Sequence, residues 1–590
     1  MDDGRLRAAL ALATDTLLAE LGPKGHWEGE LSSSALSTAT ALVALRQVDA
    51  TAHASLIGGG GRWLARTQNT DGGWGDTIKS KSNISTTALC WAALRGGESA
   101  DEFAGAIKKA EAWLTQAAGS LDGLASAIAD RYGKDRTFSV PILMHLAICG
   151  RVDWNTVPGL PFELAALPHQ LFGALQLPVV SYALPALIAI GQVIHHFHPS
   201  GNPLVRGVRN STVARTLRVL QSIQPENGGF LEATPLTSFV TMALAAAGNR
   251  EHPVALKGAA FLRASVQPDG SWPIDTNLAT WVTTLAIKAL AHQPAALTPE
   301  QRLTLREWLL GQQYRDEHPY THAAPGGWAW TDLPGGVPDA DDTPGALVAL
   351  LHLGTVEPET HAAGFAGVRW MLGLQNRDGG VPTFCRGWGA LPFDRSAPDL
   401  TAHALRAWSA WLPQMDPGTK SRTLRAISRA IAFLARTQRS DGSWLPLWFG
   451  NEHAPDDENP LYGTAKVVIA LRELSDRSFD VPAGMLERAL SYLAAAQNDD
   501  HGWGGIRGAP STTEETSLAV EALAGTEHVL AVDRGTAWLI DRVESGKWRE
   551  NAPIGFYFAK LWYYEKLYPI IWAAGALGKV AGLRGTSAIR

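Results

Sequence analysis

The sequence predicts an all-α fold in which helical hairpins stack side by side and close into barrels or a solenoid. Apolar residues recur at helical spacing, Gly and Pro lie between these segments, and a Gln…Gly-Trp repeat recurs along the chain. Strand-like alternation is nearly absent. Because 590 residues exceed what one hydrophobic core usually supports, we expect two or more domains.

Composition and charge exclude several classes of protein. Apolar residues make up 46% and charged residues 18% of the chain, which is too apolar for a disordered protein. The net charge of −6 gives no basic field, so nucleic acid is not an expected partner. Three cysteines are too few for a disulfide framework, and the start of the chain lacks the pattern of a signal peptide. We therefore expect a location on the cytoplasmic side.

The repeat explains why the chain has 22 Trp but only 16 Phe. An apolar helical segment ends in Gln, a polar turn containing Gly follows, and the Trp after the turn is expected to stack on the Gln amide and on neighbouring helix ends. The copies lie at 68–74, 224–230, 267–272, 438–444 and 497–503, with a degenerate copy at 375–381 and end copies at 25–27 and 546–548. Each copy predicts a helical hairpin with a Trp-stapled turn.

One segment departs from this pattern, because residues 164–194 are almost wholly apolar. Pro168, Pro178 and Pro185 interrupt it too often for a bilayer-spanning helix of about 20 residues. The segment is either a buried helix pair in a barrel core or an exposed apolar plateau that dips into one leaflet. The pattern favours neither interpretation.

The strongest candidate for chemistry is a group of three carboxyls within four residues. Asp339, Asp341 and Asp342 lie directly before an apolar helical segment. A single Asp there is typical of a helix N-terminus, where it caps free N–H groups. Three are different, because like charges held close together cannot all ionise. One or two are expected to stay protonated, and such a carboxyl is a proton donor at neutral pH.

A second candidate pair is Asp399 and His403, which a helix places on one face because they are spaced i and i+4. The carboxylate favours the charged form of the imidazole, although the pair taken alone also fits a surface ion pair. No HExxH, CxxC, P-loop or GxGxxG motif occurs, and Cys385 has no partners at zinc spacing. The sequence therefore predicts no metal and no cofactor.

The repeats, the Asp-Ala-Asp-Asp-Thr motif and the Asp-Leu-Thr-Ala-His segment at 399–403 together resemble the class II triterpene cyclases, the squalene–hopene cyclase family. The resemblance runs over 25–569. It implies two α/α barrels, one inserted in the other, with the cavity between them. Residues 1–35 and 276–590 would form the catalytic barrel and 36–275 the inserted barrel. The resemblance also implies attachment to one membrane leaflet through the apolar plateau.

The resemblance assigns roles to the candidate residues. Asp341 becomes the proton donor to a terminal alkene, Asp339 and Asp342 support it, and His403 sharpens its acidity with Asp399 behind. Aromatic faces would hold the moving carbocation by cation–π attraction, about 2 kcal/mol or more each when desolvated. The residues implied to line the cavity are Trp281, Trp330, Tyr462, Trp448, Tyr557, Leu561 and Tyr564.

The chain departs from the family pattern in the region that stabilises late ring cations. Leu561 stands where a Tyr is usual, and Pro553 stands where a Phe is usual. The acid machinery matches but this region does not, so we expect a product other than hopene. The alternative is that helix register moves Tyr557, Tyr563 or Tyr564 into the vacated space.

The predicted function is that of an isomerase that cyclises a linear polyprenoid, with squalene as the leading candidate. A shorter, functionalised or partly cyclised polyprenoid is the first alternative. A protein-prenyltransferase-like α/α barrel is the second, and it needs a zinc ion held by Asp, Cys and His. The expected partners are the apolar substrate and one membrane leaflet, and a homodimer is left open.

Overall fold

The computed structural model describes residues 2–97, 100–133, 136–175, 181–384, 392–556 and 561–587. These residues are mostly helical, which confirms the all-α prediction. The α-helices are α1 Asp3–Ala19, α2 Ala35–Asp49, α3 Ala54–Arg66, α4 Ile84–Arg95, α5 Ala104–Ala118, α6 Leu124–Tyr132, α7 Arg136–Ile148, α8 Gln170–Ala174, α9 Leu184–Phe197, α10 Pro203–Ser222, α11 Thr234–Leu244, α12 Pro253–Ala264, α13 Ala279–Leu290, α14 Pro299–Gly311, α15 Asp342–His352, α16 Pro358–Leu374, α17 Pro398–Trp411, α18 Pro417–Thr437, α19 Pro460–Asp476, α20 Ala483–Ala495, α21 Thr513–Leu523, α22 Val529–Glu544 and α23 Tyr568–Ser587. The strands are β1 Ser33–Ser34, β2 Trp272–Pro273, β3 Phe449–Gly450, β4 Ile554–Phe556 and β5 Leu561–Tyr563.

Six helices form a closed inner ring, which we call the six-helix ring: α13, α15, α17, α19, α21 and α23. Each packs on the next in this order, and α23 packs back on α13. Helices α14, α16, α18, α20 and α22 lie outside the ring, and the N-terminal helix α1 completes the outer layer against α22 and α23. This arrangement is an α/α barrel.

A second closed ring, the five-helix ring, consists of α2, α4, α7, α9 and α11, with α11 packing back on α2. Its outer helices are α3, α5, α6, α10 and α12. All of these helices lie between α1 and α13 in the sequence, so one barrel interrupts the other. The prediction of two α/α barrels is confirmed, while the residue limits 1–35, 36–275 and 276–590 stay a prediction.

Inner and outer helices differ in where they place apolar residues. The outer helix α18 buries Ile427, Ile431 and Leu434 on one face. The inner helix α13 is buried almost all round, and Lys288 is its one charged residue. Two hydrophobic cores result, one in each ring, and the side chains of Trp330 and Trp448 pack against both. The space between the rings is therefore apolar.

The repeats staple each hairpin through hydrogen bonds rather than through the predicted stacking on the Gln amide. The indole N–H of Trp444 donates to the Leu434 carbonyl at 2.8 Å, back in the helix before the turn. The Gln438 amide donates at 2.9 Å both to its own turn and to the carbonyl of Met485 in the next hairpin. Gly442 adopts a φ of 91°, where a Cβ atom would approach the Arg488 carbonyl oxygen to 2.5 Å.

One copy of the repeat is not apparent in the sequence. Gln313 donates to the carbonyls of Gly326 and Ala363, both at 2.9 Å, and the Trp328 indole donates to Leu309 at 2.8 Å. A long loop separates this Gln from its Gly and Trp, which hides the pattern from a search by spacing.

The described strands are short and antiparallel. Strand β1 pairs with β2, so the two ends of the chain segment that forms the five-helix ring lie side by side. Strands β3, β4 and β5 form a three-stranded sheet. We call β4 and β5 the C-terminal hairpin. These strands were not predicted, because segments of two or three residues are too short for an alternating pattern to be seen.

The apolar segment 164–194 divides into parts that match both interpretations. Helix α9 is buried in the five-helix ring. Before it, Leu167, Leu171 and Leu175 are 39%, 38% and 60% exposed, whereas Phe172 between them is buried. Residues 176–180 lie outside the described residues. Among the described residues, none of the helices combines the length and apolar character needed to cross a bilayer.

Candidate active site

The carboxyls of the acid motif, residues 339–342, are fixed by the start of helix α15 and by the repeat copy that contains Gln313 and Trp328. Asp339 donates its N–H to the Trp328 carbonyl at 3.0 Å, and its carboxylate accepts the backbone N–H groups of Asp341 and Asp342, both at 2.8 Å. The stapled turn thus holds the motif in place. The motif lies at the helix N-terminus because Asp341 is the residue before α15.

Burial keeps these carboxyls protonated at higher pH than usual. Burial raises the pKa of Asp339 to about 7, and burial together with the neighbouring carboxylates raises that of Asp342 well above its usual value. For Asp341, burial raises the pKa to about 6, partly offset by the positive charges of Lys466 and Lys288. Burial therefore acts in the direction of the protonated carboxyls that the sequence predicts.

His403 lies against the proposed donor. Its Nδ1 is 2.8 Å from Oδ1 of Asp341, and its Nε2 is 3.3 Å from Nζ of Lys288. Burial, followed by the charges of Lys288 and Arg406, lowers the pKa of the imidazole well below its usual value. Burial and these charges both act against the charged His403 that the sequence predicts.

Asp399 and His403 share helix α17 at the predicted spacing, but Asp399 does not hydrogen-bond the imidazole. Asp341 and Lys288 occupy the two ring nitrogens of His403. Asp399 accepts instead the backbone N–H of Leu447 at 3.1 Å. Burial, followed by repulsion from Asp341, raises the pKa of Asp399 to about 7. Asp399 therefore belongs to the same group of buried carboxyls without contacting the imidazole.

An apolar cavity of about 330 Å³ lies between the two rings, with all three aspartates of the acid motif in its wall. Side chains from both barrels line it, including Leu36, Phe138, Ile190 and Phe239 from the inserted one. The side chain of Asp341 is 21% exposed, so the carboxyl reaches the cavity. A dry wall of this kind strengthens electrostatic interactions and protects a cation from water.

Four of the predicted cavity residues line this space: Trp281, Trp330, Trp448 and Leu561. Two do not. Tyr462 is buried behind Phe449, with 4.3 Å between the ring centroids, and Tyr564 lies outside the lining with Nζ of Lys79 4.9 Å from its ring centroid. Tyr557 lies outside the described residues.

Two further tyrosines line the cavity: Tyr563, which the sequence offered only as an alternative, and Tyr568, which it did not indicate. Their hydroxyls are 3.1 Å apart, and the Trp281 indole N–H donates to the Tyr568 hydroxyl at 3.0 Å. Tyr563 enters the lining because Leu561 and Tyr563 alternate along strand β5, while Trp562 is absent from the lining. The expected helix register was wrong here, and a period of two residues was the signal that could have found Tyr563.

A further group of aromatic rings surrounds Trp448. The rings of Phe384 and Phe393 have centroids 5.3 Å apart, and Phe393 lies 5.1 Å from both Tyr182 and Trp448. All four line the cavity. Their faces and edges give a long aromatic wall on which positive charge can move.

Among the described residues, the group of side chains close enough to share a metal ion is His169, Glu317 and His322. It lies outside the cavity lining. Its two imidazoles stack face to face with centroids 3.6 Å apart, so their in-plane lone pairs do not converge on one point. This geometry is not that of a preformed metal centre.

Comparison with protein families gives two matches. Residues 278–581 match the squalene-hopene cyclase C-terminal domain, and residues 10–196 match the squalene-hopene cyclase N-terminal domain. The first match alone covers more than half of the chain.

Individual proteins show the same likeness. A probable squalene–hopene cyclase from Sinorhizobium fredii is 26% identical over 100% of this chain and 98% of its own length. Enfumafungin synthase from Hormonema carpetanum is 27% identical over 95% of this chain, which spans only 47% of that protein. The structure of ent-copalyl diphosphate synthase from Streptomyces platensis has the same fold, with a TM-score of 0.57, 20% identity and coverage of 98% of this chain and 99% of that one.

Proposed function

Because the chain belongs to the squalene–hopene cyclase family, we propose that it cyclises a neutral linear polyprenoid, with squalene as the leading candidate. The family consists of class II terpene cyclases, which are isomerases. The observation that carries the proposal is the contact of Asp341 with His403 at 2.8 Å in the wall of an apolar cavity.

The first step is a proton transfer from Asp341 to the terminal alkene. The O–H bond of the carboxyl breaks, a C–H bond forms on the less substituted alkene carbon, and the other carbon becomes a tertiary cation. Negative charge develops on the carboxylate, where the hydrogen bond from His403 stabilises Oδ1. Asp342, whose pKa burial and the neighbouring carboxylates raise well above its usual value, keeps its proton and adds no charge beside the donor.

Ring closure then moves the positive charge along the polyene. Trp281, Trp330 and Trp448 offer ring faces in the lining, and each contributes about 2 kcal/mol or more when water is excluded. The cavity folds the chain before the reaction, which removes much of the ordering entropy from the chemical step. The last cation must lose a proton for the overall reaction to be an isomerisation.

The charge of the lining supports a neutral hydrocarbon rather than a diphosphate. Among the described residues, the lining contains no Lys and no Arg, and its ionisable acids are Asp275 and the three aspartates of the acid motif. A diphosphate placed among these carboxyls would lack cationic partners. A shorter or functionalised neutral polyprenoid remains the alternative substrate.

The exposed leucines suggest how such a substrate reaches the enzyme. We propose that Leu167, Leu171 and Leu175 insert into one leaflet of a membrane, where the hydrocarbon dissolves. Replacement of these three by Ser should move the protein from floated vesicles to the soluble fraction. Replacement of the equally apolar but buried Leu184 by Ala serves as the control, because it leaves the exposed surface unchanged.

Product analysis tests the function directly. The wild type is incubated in detergent with squalene or with geranylgeranyl diphosphate, and the products are analysed by gas chromatography and mass spectrometry. We expect cyclic products from squalene only, and none from a folded Asp341→Asn variant, because the amide cannot deliver the proton. Cyclisation by Asp341→Asn, or of the diphosphate alone, would contradict the proposal.

A further inference from the structure

We propose that Lys288 is a positioning residue that holds His403 neutral, in the tautomer that donates Nδ1–H to Asp341. This inference rests on the proposed role of Asp341 as the acid. It assigns the positive charge behind the acid to an ammonium group on α13, not to the imidazole.

The hydrogen-bond chemistry of the three groups fixes the tautomer. Nζ of Lys288 lies 3.3 Å from Nε2 of His403. An ammonium group has three donors and no acceptor, so Nε2 must accept with its lone pair. The single proton of the neutral ring is then on Nδ1, which lies 2.8 Å from Oδ1 of Asp341. The imidazole therefore carries a donor toward the acid without carrying a charge.

Competition for the proton favours the lysine. An unperturbed lysine is about four pKa units more basic than an unperturbed histidine. Burial lowers the pKa of both Lys288 and His403, and the charges of Arg406 and Lys466 lower both further. Only when Asp341 is ionised does its charge act in the opposite direction on Lys288. Since burial and the neighbouring cations act on both groups in the same direction, the greater intrinsic basicity of lysine leaves the proton on Nζ rather than on the imidazole.

The other cations nearby are not in contact with the imidazole. Arg406 binds Glu473 with an N–O distance of 2.7 Å. The Nζ atom of Lys466 lies 5.1 Å from the ring centroid of Tyr462 and 5.8 Å from that of Trp572. Lys288 is therefore the described cation within hydrogen-bond distance of His403.

Lys288 lies in the wall of a second pocket, which is polar and has a volume of about 190 Å³. The exposed residue Asp476 is at its rim, so the pocket meets solvent. His292, His352 and Lys579 also line it. His403 contacts Asp341 on one side and Lys288 on the other. Lys288 can therefore exchange protons with water in this second pocket, and no water has to enter the apolar cavity.

The expected consequence is a more acidic donor. When Asp341 loses its proton, the new charge on Oδ1 is stabilised by the Nδ1–H group, and the ammonium charge lies directly behind the ring. Without Lys288, the ring can take either tautomer or a second proton, and the hydrogen bond to Asp341 is no longer fixed.

The first test does not depend on the substrate. Nitrogen-15 spectra of protein labelled at histidine, with His403→Gln used to assign the signal, should show a neutral ring protonated on Nδ1 over about pH 5–8. In Lys288→Gln the signal should shift to the imidazolium or to a mixture of tautomers. A wild-type imidazolium near neutral pH, or an unchanged signal in the variant, would overturn the inference.

The second test measures steady-state kinetics with the polyprenoid that the wild-type enzyme cyclises. Lys288→Gln should lower kcat by roughly 10- to 100-fold with little change in KM. Lys288→Arg should recover part of the loss, and Lys579→Gln in the same pocket should behave like wild type. A Lys288→Gln enzyme with wild-type kcat would overturn the inference. Should Asp341→Asn remain active, the proposed acid is wrong, and the spectra alone still decide the state of His403.

Discussion

The acid motif and the C-terminal hairpin line the same cavity, but the chain builds them in different ways. Asp339, Asp341 and Asp342 are neighbours in sequence and are fixed by one helix start and one stapled turn. The hairpin instead depends on strand alternation, which brings Leu561 and Tyr563 to the cavity. In the proposed mechanism, proton transfer depends on a compact local motif, whereas the shape of the product would depend on long-range packing that can vary separately.

The largest expected effect concerns pH and the acid motif. Because Asp341 must be protonated to react, kcat/KM should fall as pH rises through about 6, the value to which burial raises its pKa. The fall should approach about tenfold per pH unit above the apparent pKa of the coupled carboxyls. A rate profile measured with squalene in detergent checks this, and a profile that stays flat into the alkaline range would contradict the assignment.

The free energy of unfolding should also fall as pH rises, because of the buried carboxyls. The folded-state pKa values of Asp339 and Asp399 are both raised to about 7, above the unfolded value of about 3.9. Their contribution to the free energy of unfolding is then fully present below about pH 4 and is lost as pH rises to about 7. Thermal unfolding of Asp399→Asn, which cannot ionise at that position, should depend less on pH than unfolding of the wild type.

The hairpin should change products more than rates. Leu561→Tyr adds an aromatic ring to the wall next to Tyr563, where a cation gains attraction that Leu cannot give. We expect a shift in the distribution of cyclic products, with turnover within a few-fold of wild type because the acid is untouched. Tyr564→Phe, outside the lining, is the control. An unchanged product profile would mean that this wall does not meet the late cations.

The smallest expected effect on activity comes from the staples, which serve both barrels alike. Trp444→Phe and Trp74→Phe each remove an indole N–H that reaches a helix carbonyl at 2.8 and 2.9 Å. Each should lower the free energy of unfolding by about 2 kcal/mol, since a buried carbonyl loses its partner and volume is lost. Product ratios at low temperature should not change. A changed ratio would show that staples also shape the cavity.

A feature of this molecule could be predicted from the sequence when its residues lie close together in the chain. The repeats and the acid motif are predictable because their signals lie within a few residues. The contact between Lys288 and His403 joins residues 115 positions apart, and neither residue type marks it. Tyr462 was placed in the cavity by resemblance, yet Phe449 covers it. Such errors arise because a side chain lines a cavity only if no other side chain lies between it and the open space. That depends on the packing of the folded chain.

The position of α1 sets an order for assembly during synthesis. This helix belongs to the outer layer of the six-helix ring, and Asp3 pairs with Arg584 at 2.8 Å, so these partners are synthesised long after α1 itself. The five-helix ring comes from one continuous stretch and can form while the rest is still being made. Until α22 and α23 have been synthesised, α1 has no partner helices to pack against. The six-helix ring can therefore close only after the five-helix ring has been made, and the cavity between the rings is complete only when α23 brings Tyr568 into its wall.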